Sequence, residues 1–160
     1  MEQTVWITIG VAGDGKSTWA RMKADSNSNV SIVSKDSIRE MLHGKYVFDE
    51  VLEPLVEEIN YRAIVEVLST GRSLVIDECH IKKSDRTKVV NFIHSRFPLI
   101  KIVGVWCMNK ENLSRRIKNP KITGSEDLAR ATWCLVINGM NLQFEEPTKE
   151  EFDDMVYFRS

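Results

Sequence analysis

Val5-Trp6-Ile7-Thr8-Ile9-Gly10-Val11-Ala12-Gly13-Asp14-Gly15-Lys16-Ser17 sets the frame for the whole chain. The first five residues are a β-rich run that predicts a short buried strand ending at Gly10. Gly10 to Ser17 fits G-x-x-x-x-G-K-[S/T], and from Lys16 the composition of KSTWARMKAD turns helical. A glycine turn between strand and helix lets backbone N–H groups converge on an anion, and the helix N-terminus adds positive potential at the same point. In such a loop Lys16 reaches the terminal phosphate oxygens of a nucleotide, and Ser17 offers a hydroxyl to Mg²⁺. Asp14 adds a carboxylate inside the loop, which is costly beside a polyphosphate unless it faces solvent or a cation.

Outward from this loop, strands and helices alternate. The polar stretch Ser26-Asn27-Ser28-Asn29 predicts a loop and Val30 to Val33 a second strand. Asp36 to His43 predicts a short helix closed by Gly44, with Asp36 near its N-cap. Lys45 to Glu50 reads as loop, and Val51 to Thr70 as a long helix stopped by Gly71. Leu74-Val75-Ile76-Asp77 is an apolar strand ending in acid. Helix is expected over 84–97, a buried strand over 99–108, helix again from Gly124 to about Met140, and a last strand over 155–158. This spacing implies an α/β fold: a three-layer P-loop sandwich whose sheet is mostly parallel and about five-stranded. Residues 1–160 read as one domain with a lid around 109–124.

Composition narrows the classes further. The 160 residues are 42% hydrophobic and 28% charged, which excludes a disordered chain. With 22 Lys and Arg against 23 Asp and Glu the net charge is −1, so affinity for nucleic acid has to come from a local patch. Cys79, Cys107 and Cys134 form no C-x-x-C pair and are odd in number, against a disulfide framework or a zinc ribbon. No apolar run approaches the ~20 residues of a membrane span, and the first residues lack a basic leader. A cytoplasmic protein with no membrane association and no obligate protein partner is expected.

Two acids fall where open α/β sheets build their sites, at the C-terminal edge of the strands. Asp36 is a candidate general base for an acceptor hydroxyl, or else a helix cap. Asp77 is a candidate carboxylate for Mg²⁺ or its waters, or an ordinary strand-end acid, with Glu78 as the alternative metal group. Arg39, one helical step after Asp36, is able to face the same acceptor site. Arg115, Arg116, Lys118 and Lys121 form a basic cluster that suits either a lid neutralising a phosphoryl group or a solvated helix face. His43, His80 and His94 show no metal spacing and read as structural or exposed, and Trp6, Trp19, Trp106 and Trp133 read as core.

ITIGVAGDGKSTWAR, VSKDSIRE, LVIDECHIKKSDR and FEEPTKEEFDDMVYF, in that order, resemble the P-loop polynucleotide 5′-hydroxyl kinase family in its small phage and bacterial form. The resemblance implies ATP as donor with Mg²⁺. Gly10, Gly13, Asp14, Gly15, Lys16, Ser17 and Thr18 would form the donor site, with Ser17 and Asp77 toward the metal. It further implies Asp36 as general base, Arg39 on an acceptor phosphate, and a nucleic acid or nucleotide as acceptor. Where family members carry Asp-x-Asn after the third strand, this chain has Asp77-Glu78-Cys79-His80. The family's lid arginine aligns near Pro120, leaving Arg116 or Lys121 to replace it. No D-x-D-G-T phosphatase motif follows, so a bifunctional end-healing enzyme is not expected.

The reading is an ATP phosphotransferase acting on a hydroxyl, with Lys16, Asp36 and Arg116 at the reacting groups. Candidate acceptors are a 5′-hydroxyl end, a hydroxymethylated base in DNA, a nucleotide, or a small metabolite. The rival is an ATP-hydrolysing switch, favoured by the Asp77-Glu78 pair alone.

Overall fold

The computed structural model describes residues 3–46, 48–109, 111, 114, 116 and 126–159. Strand β1 (Thr4–Ile9) runs into the glycine loop and helix α1 (Lys16–Ser26), followed by β2 (Val30–Val33) and α2 (Lys35–His43). Then come α3 (Glu53–Ser69), β3 (Ser73–Ile76), α4 (Lys83–His94) and β4 (Lys101–Met108). Helix α5 (Glu126–Leu142), a 3₁₀ turn (Lys149–Glu151) and β5 (Asp154–Arg159) complete the described chain. The five strands form one sheet in the order β2-β3-β1-β4-β5, with every pairing parallel. The expected α/β sandwich is present, and its sheet is parallel throughout.

The strand sequences explain this arrangement. Residues 73–76 are buried on both faces, as a central parallel strand requires. Val5, Ile7, Ile9, Leu74, Ile76 and Ile102 are all 0% exposed, and full burial of such side chains is worth ~1.5–3 kcal/mol each. On one face they meet Ile64 and Leu68 of α3 and Val89 and Ile93 of α4. On the other, Val75 packs with Ala20 of α1, flanked by Trp6 and Trp19. Trp6, Trp19 and Trp106 are only partly buried, not core as expected. Trp6 carries Lys23 Nζ 4.3 Å over its ring, and Trp106 meets Tyr157 with ring centroids 5.8 Å apart, tilted by 45°.

Several boundaries differ from the sequence expectation; β3, for one, ends at Ile76 and leaves Asp77 just beyond it. Helix α3 begins at Glu53 and leaves Val51 84% exposed, because Pro54 fits only the first helical turn and Asp49 supplies the capping acceptors. Leu99, expected in the fourth strand, is 94% exposed in the turn before Lys101. Helix α4 stops at His94, three residues before the expected end.

The C-terminal segment acts as a clamp. Arg86 of α4 is 0% exposed and donates to both carboxylate oxygens of Glu151, at 2.6 and 3.1 Å. It also donates to the carbonyls of His80, Ile81 and Glu145 at 3.1, 3.3 and 2.9 Å. Glu151 in turn accepts from the Thr148 N–H at 2.9 Å in a capping box. Phe152 fills a notch that only glycine leaves, since a Cβ at Gly104 of β4 would lie 2.6 Å from its ring. Asp153 closes the join by accepting from the Ile102 N–H at 2.7 Å. The segment after β3 is thereby tied to the far end of the chain.

Candidate active site

The glycine loop has the geometry its sequence predicts. Gly10, Gly13 and Gly15 have φ of 150°, 89° and 89°, and Gly15 caps α1 from the left-handed region. A Cβ at Gly10 would lie 2.7 Å from the Cys107 carbonyl oxygen, so the loop sits directly against the end of β4. The first turn of α1 has no acidic residue, which leaves its N–H groups and dipole open to an anion. Lys16 is buried and donates to the Val11 carbonyl at 2.7 Å, spanning the loop. Ser17 and Thr18 are exposed beside it.

Asp14 does not face solvent. It is buried, and its Oδ2 accepts from the Val11 N–H at 2.9 Å. The extra carboxylate therefore shapes the loop from within.

The segment after β3 is laced to the same strand. Thr8 Oγ1 accepts from the Glu78 N–H at 3.1 Å and lies 2.8 Å from the Glu78 carbonyl, to which it donates. Gly10 N–H donates to the Cys79 carbonyl at 3.0 Å. His80 is buried at φ 42° and lines the cavity, and its Nδ1–H donates to the Thr8 carbonyl at 2.9 Å. These bonds hold Asp77 at the cavity, level with the glycine loop. Glu78 accepts from Asn60 at 2.8 Å and pairs with Lys35 at 3.4 Å, so its carboxylate is engaged on both oxygens.

Ser34, not Asp36, is the N-cap of α2, and Asp36 stands in the first turn facing the cavity. Arg39 donates to Asp36 Oδ1 at 2.7 Å and grips both oxygens of Glu53 at 2.7 Å. The hydrogen bond to Glu53, opposed by burial and reinforced by the charges of Glu53 and Asp36, raises the Arg39 pKa well above its ordinary value. Three of its five N–H donors are spent on these acids, which leaves two for a ligand. Tyr46 stands nearby; burial and the Asp36 charge push its phenol up, against Arg39 and Arg116.

One cavity of about 1440 Å³ joins these groups. Pockets for a single drug-sized ligand run ~300–1,000 Å³, so this one has room for a nucleotide and a second reactant. Gly13, Gly15, Lys16, Ser17 and Asp77 line one part, and Asp36, Arg39, Tyr46 and Phe48 line another. Among the described residues no group of three His, Cys, Asp or Glu side chains could hold a metal by itself.

Of the basic cluster, only Arg116 falls among the described residues; Arg115, Lys118, Lys121 and most of the expected lid lie outside them. Arg116 lines the cavity with its guanidinium carbon 4.4 Å from the centroid of the Trp133 ring. Trp133 is buried, as expected, but it also faces the site, which periodicity alone could not reveal. All three cysteines are free, and burial foremost pushes the Cys107 thiol up to about 12.

Fold and site together define a P-loop domain with the architecture of ATP-dependent kinases. The chain belongs to the AAA domain family, whose model (AAA_33) matches residues 5–134. No curated protein matches it. Among solved structures it is similar to a fungal RNA kinase, with a TM-score of 0.73 and 11% identity, over 100% of this chain and 77% of that one. It is also similar to a chain of the Pnkp1/Rnl/Hen1 RNA repair complex, at TM-score 0.64 and 19% identity over 90% of this chain and 47% of the other. The Mycobacterium tuberculosis APS kinase in complex with AMPPNP and APS matches at TM-score 0.63 and 16% identity, over 99% and 91%. The chain thus spans less than half of the matched chain of the RNA repair complex. The expected polynucleotide-kinase-like resemblance agrees with these matches at the level of fold. Among the described residues no helix is long and apolar enough to cross a membrane.

Proposed function

We propose that this chain transfers the γ-phosphoryl group of ATP to a hydroxyl, with the 5′-hydroxyl of a nucleic acid as the favoured acceptor. The observation that carries the reading is the shared cavity, which has the glycine loop with Lys16 in one part and the Asp36–Arg39 pair in another. The glycine cradle, the acid-free start of α1 and the span of Lys16 fit a nucleotide polyphosphate. Ser17 and Asp77 are the residues that would hold Mg²⁺ or its waters, and the ion would neutralise charge on the phosphate oxygens.

In the transfer, the acceptor oxygen forms a bond to phosphorus as the bond to the leaving oxygen of ADP breaks, and the acceptor proton passes to Asp36. Arg39 fixes the orientation of the Asp36 carboxylate and keeps two N–H donors for an acceptor phosphate. Lys16 and Arg116 meet charge on the phosphoryl group. The ATP-hydrolysing alternative needs Glu78 to polarise water, but Asn60 and Lys35 already occupy that carboxylate.

Incubation with labelled ATP and a panel of acceptors tests the reading: a 5′-hydroxyl oligonucleotide, hydroxymethyluracil DNA, mononucleotides, gluconate and water alone. Label is expected on the oligonucleotide at its 5′ end. Label on a small metabolite only would move the acceptor class, and inorganic phosphate as the sole product would overturn the kinase reading.

A further inference from the structure

Trp133 belongs to no reacting group assigned above, yet Arg116 rests on it. The guanidinium carbon lies 4.4 Å from the indole centroid, and both side chains line the cavity. Trp133 is 5% exposed and packs with Val11 and Ala12 of the glycine loop and with Ile137. Further along α5, Met140 Sδ accepts from the Ala12 N–H at 3.4 Å. The indole is therefore fixed to the donor loop itself. On the acceptor side, Arg116 lies within electrostatic reach of Tyr46, beside Asp36 and Arg39.

Core filling alone does not account for this residue. The indole Nε1–H is buried with no hydrogen-bond partner among the described residues. Phenylalanine or leucine would fill apolar space without burying an unpaired donor. Tryptophan does offer the strongest aromatic surface for a cation. Arg116 Nε is likewise buried without a partner among the described residues. A guanidinium held over an indole face still has N–H donors to offer an anion.

We propose that Trp133 is a positioning residue whose indole holds the Arg116 guanidinium between the donor loop and the acceptor end of the cavity. Arg116 then meets the phosphoryl group during transfer without first being ordered by substrate. This rests on the reading of Arg116 as the arginine that neutralises the transferring group.

The test is a double-mutant cycle on the full chain with two readouts. One is steady-state kinetics with the acceptor found above. The other compares affinity for ADP alone with affinity for ADP plus aluminium fluoride, which mimics the transferring phosphoryl group and needs no acceptor. Trp133→Leu is expected to lower kcat by about 10- to 100-fold, the scale of one misplaced charge-stabilising group, with KM for ATP and affinity for ADP within about twofold. It should also remove the tightening by aluminium fluoride, and Trp133→Phe should recover more than half of the loss. Arg116→Ala with Trp133→Leu should be no slower than Arg116→Ala alone. Multiplicative losses, a raised KM for ATP, or a Phe variant as slow as Leu would reduce Trp133 to packing. If Trp133→Leu does not fold, Trp133→Phe carries the cycle, with a smaller loss that must vanish when Arg116 is alanine. If no acceptor is phosphorylated, the reaction assigned above fails, while the fluoride complex still decides the role of Trp133.

Discussion

Replacing Arg86 by methionine isolates the clamp between the segment after β3 and the C-terminal strand. Methionine keeps an unbranched stem but leaves Glu151, whose side chain is 7% exposed, without its cation. It also strips a donor from the carbonyls of His80, Ile81 and Glu145. Removing one partner of a buried ion pair costs ~3–5 kcal/mol. Domains of this size shift by ~2–4 °C per kcal/mol, so Tm should fall by roughly 6–20 °C at neutral pH in a circular-dichroism melt. The pair also sets a pH signature. Burial pushes the Glu151 carboxyl up, but the hydrogen bonds from Arg86 and Thr148 and the charges of Arg86 and Lys83 outweigh it, leaving it below the ordinary carboxylate value. A depressed folded pKa contributes stability that is complete above the unfolded value of ~4.3 and is lost as pH falls through the folded one. The gap between native protein and Arg86→Met should therefore narrow below about pH 4.3. A fall in Tm of less than about 3 °C, or a gap that does not narrow in acid, would refute the assignment of this pair as the clamp.

Gly104→Ala places a methyl 2.6 Å from the Phe152 ring and should cost ~1–3 kcal/mol in urea unfolding, with part recovered by adding Phe152→Leu. Lys16→Ala should lower transfer by at least ~10²-fold while the melt stays within a few degrees, because the residue's Nζ bonds a single loop carbonyl. Asp36→Asn should cut kcat by ~10²-fold with affinity for ATP nearly unchanged, read in single-turnover assays. Asp77→Asn should instead shift the Mg²⁺ dependence of the rate to higher concentration; equal effects of both substitutions on ATP binding would reduce Asp36 to a helix residue.

What the sequence disclosed follows from how local each signal is. The glycine loop, the cores of the apolar strands and the stop at Gly44 are written in contiguous residues, and they appear where periodicity and turn chemistry place them, with strand ends shifted by one or two residues. The order β2-β3-β1-β4-β5 is not local, since it depends on which apolar faces meet across crossovers. Pro54 ruled the start of α3, but the apolar stripe running back to Val51 masked it. No local pattern singles out Arg86, since its partner Glu151 lies in another segment of chain. Trp133 showed its burial in the sequence, while its service to Arg116 emerges only when α5 lies against the glycine loop.

The position of β1 has a consequence for how the molecule is made. This strand is first in sequence but third in the sheet, and its hydrogen-bonded neighbours begin at Leu74 on one side and Lys101 on the other. During synthesis the donor loop precedes both partners of its apolar strand, which keeps one edge unsatisfied until β3 has followed and the other until β4 has. Parallel pairings of such separation close slowly. Nucleotide affinity should accordingly arise late and abruptly as the chain lengthens, after β4 has closed against β1.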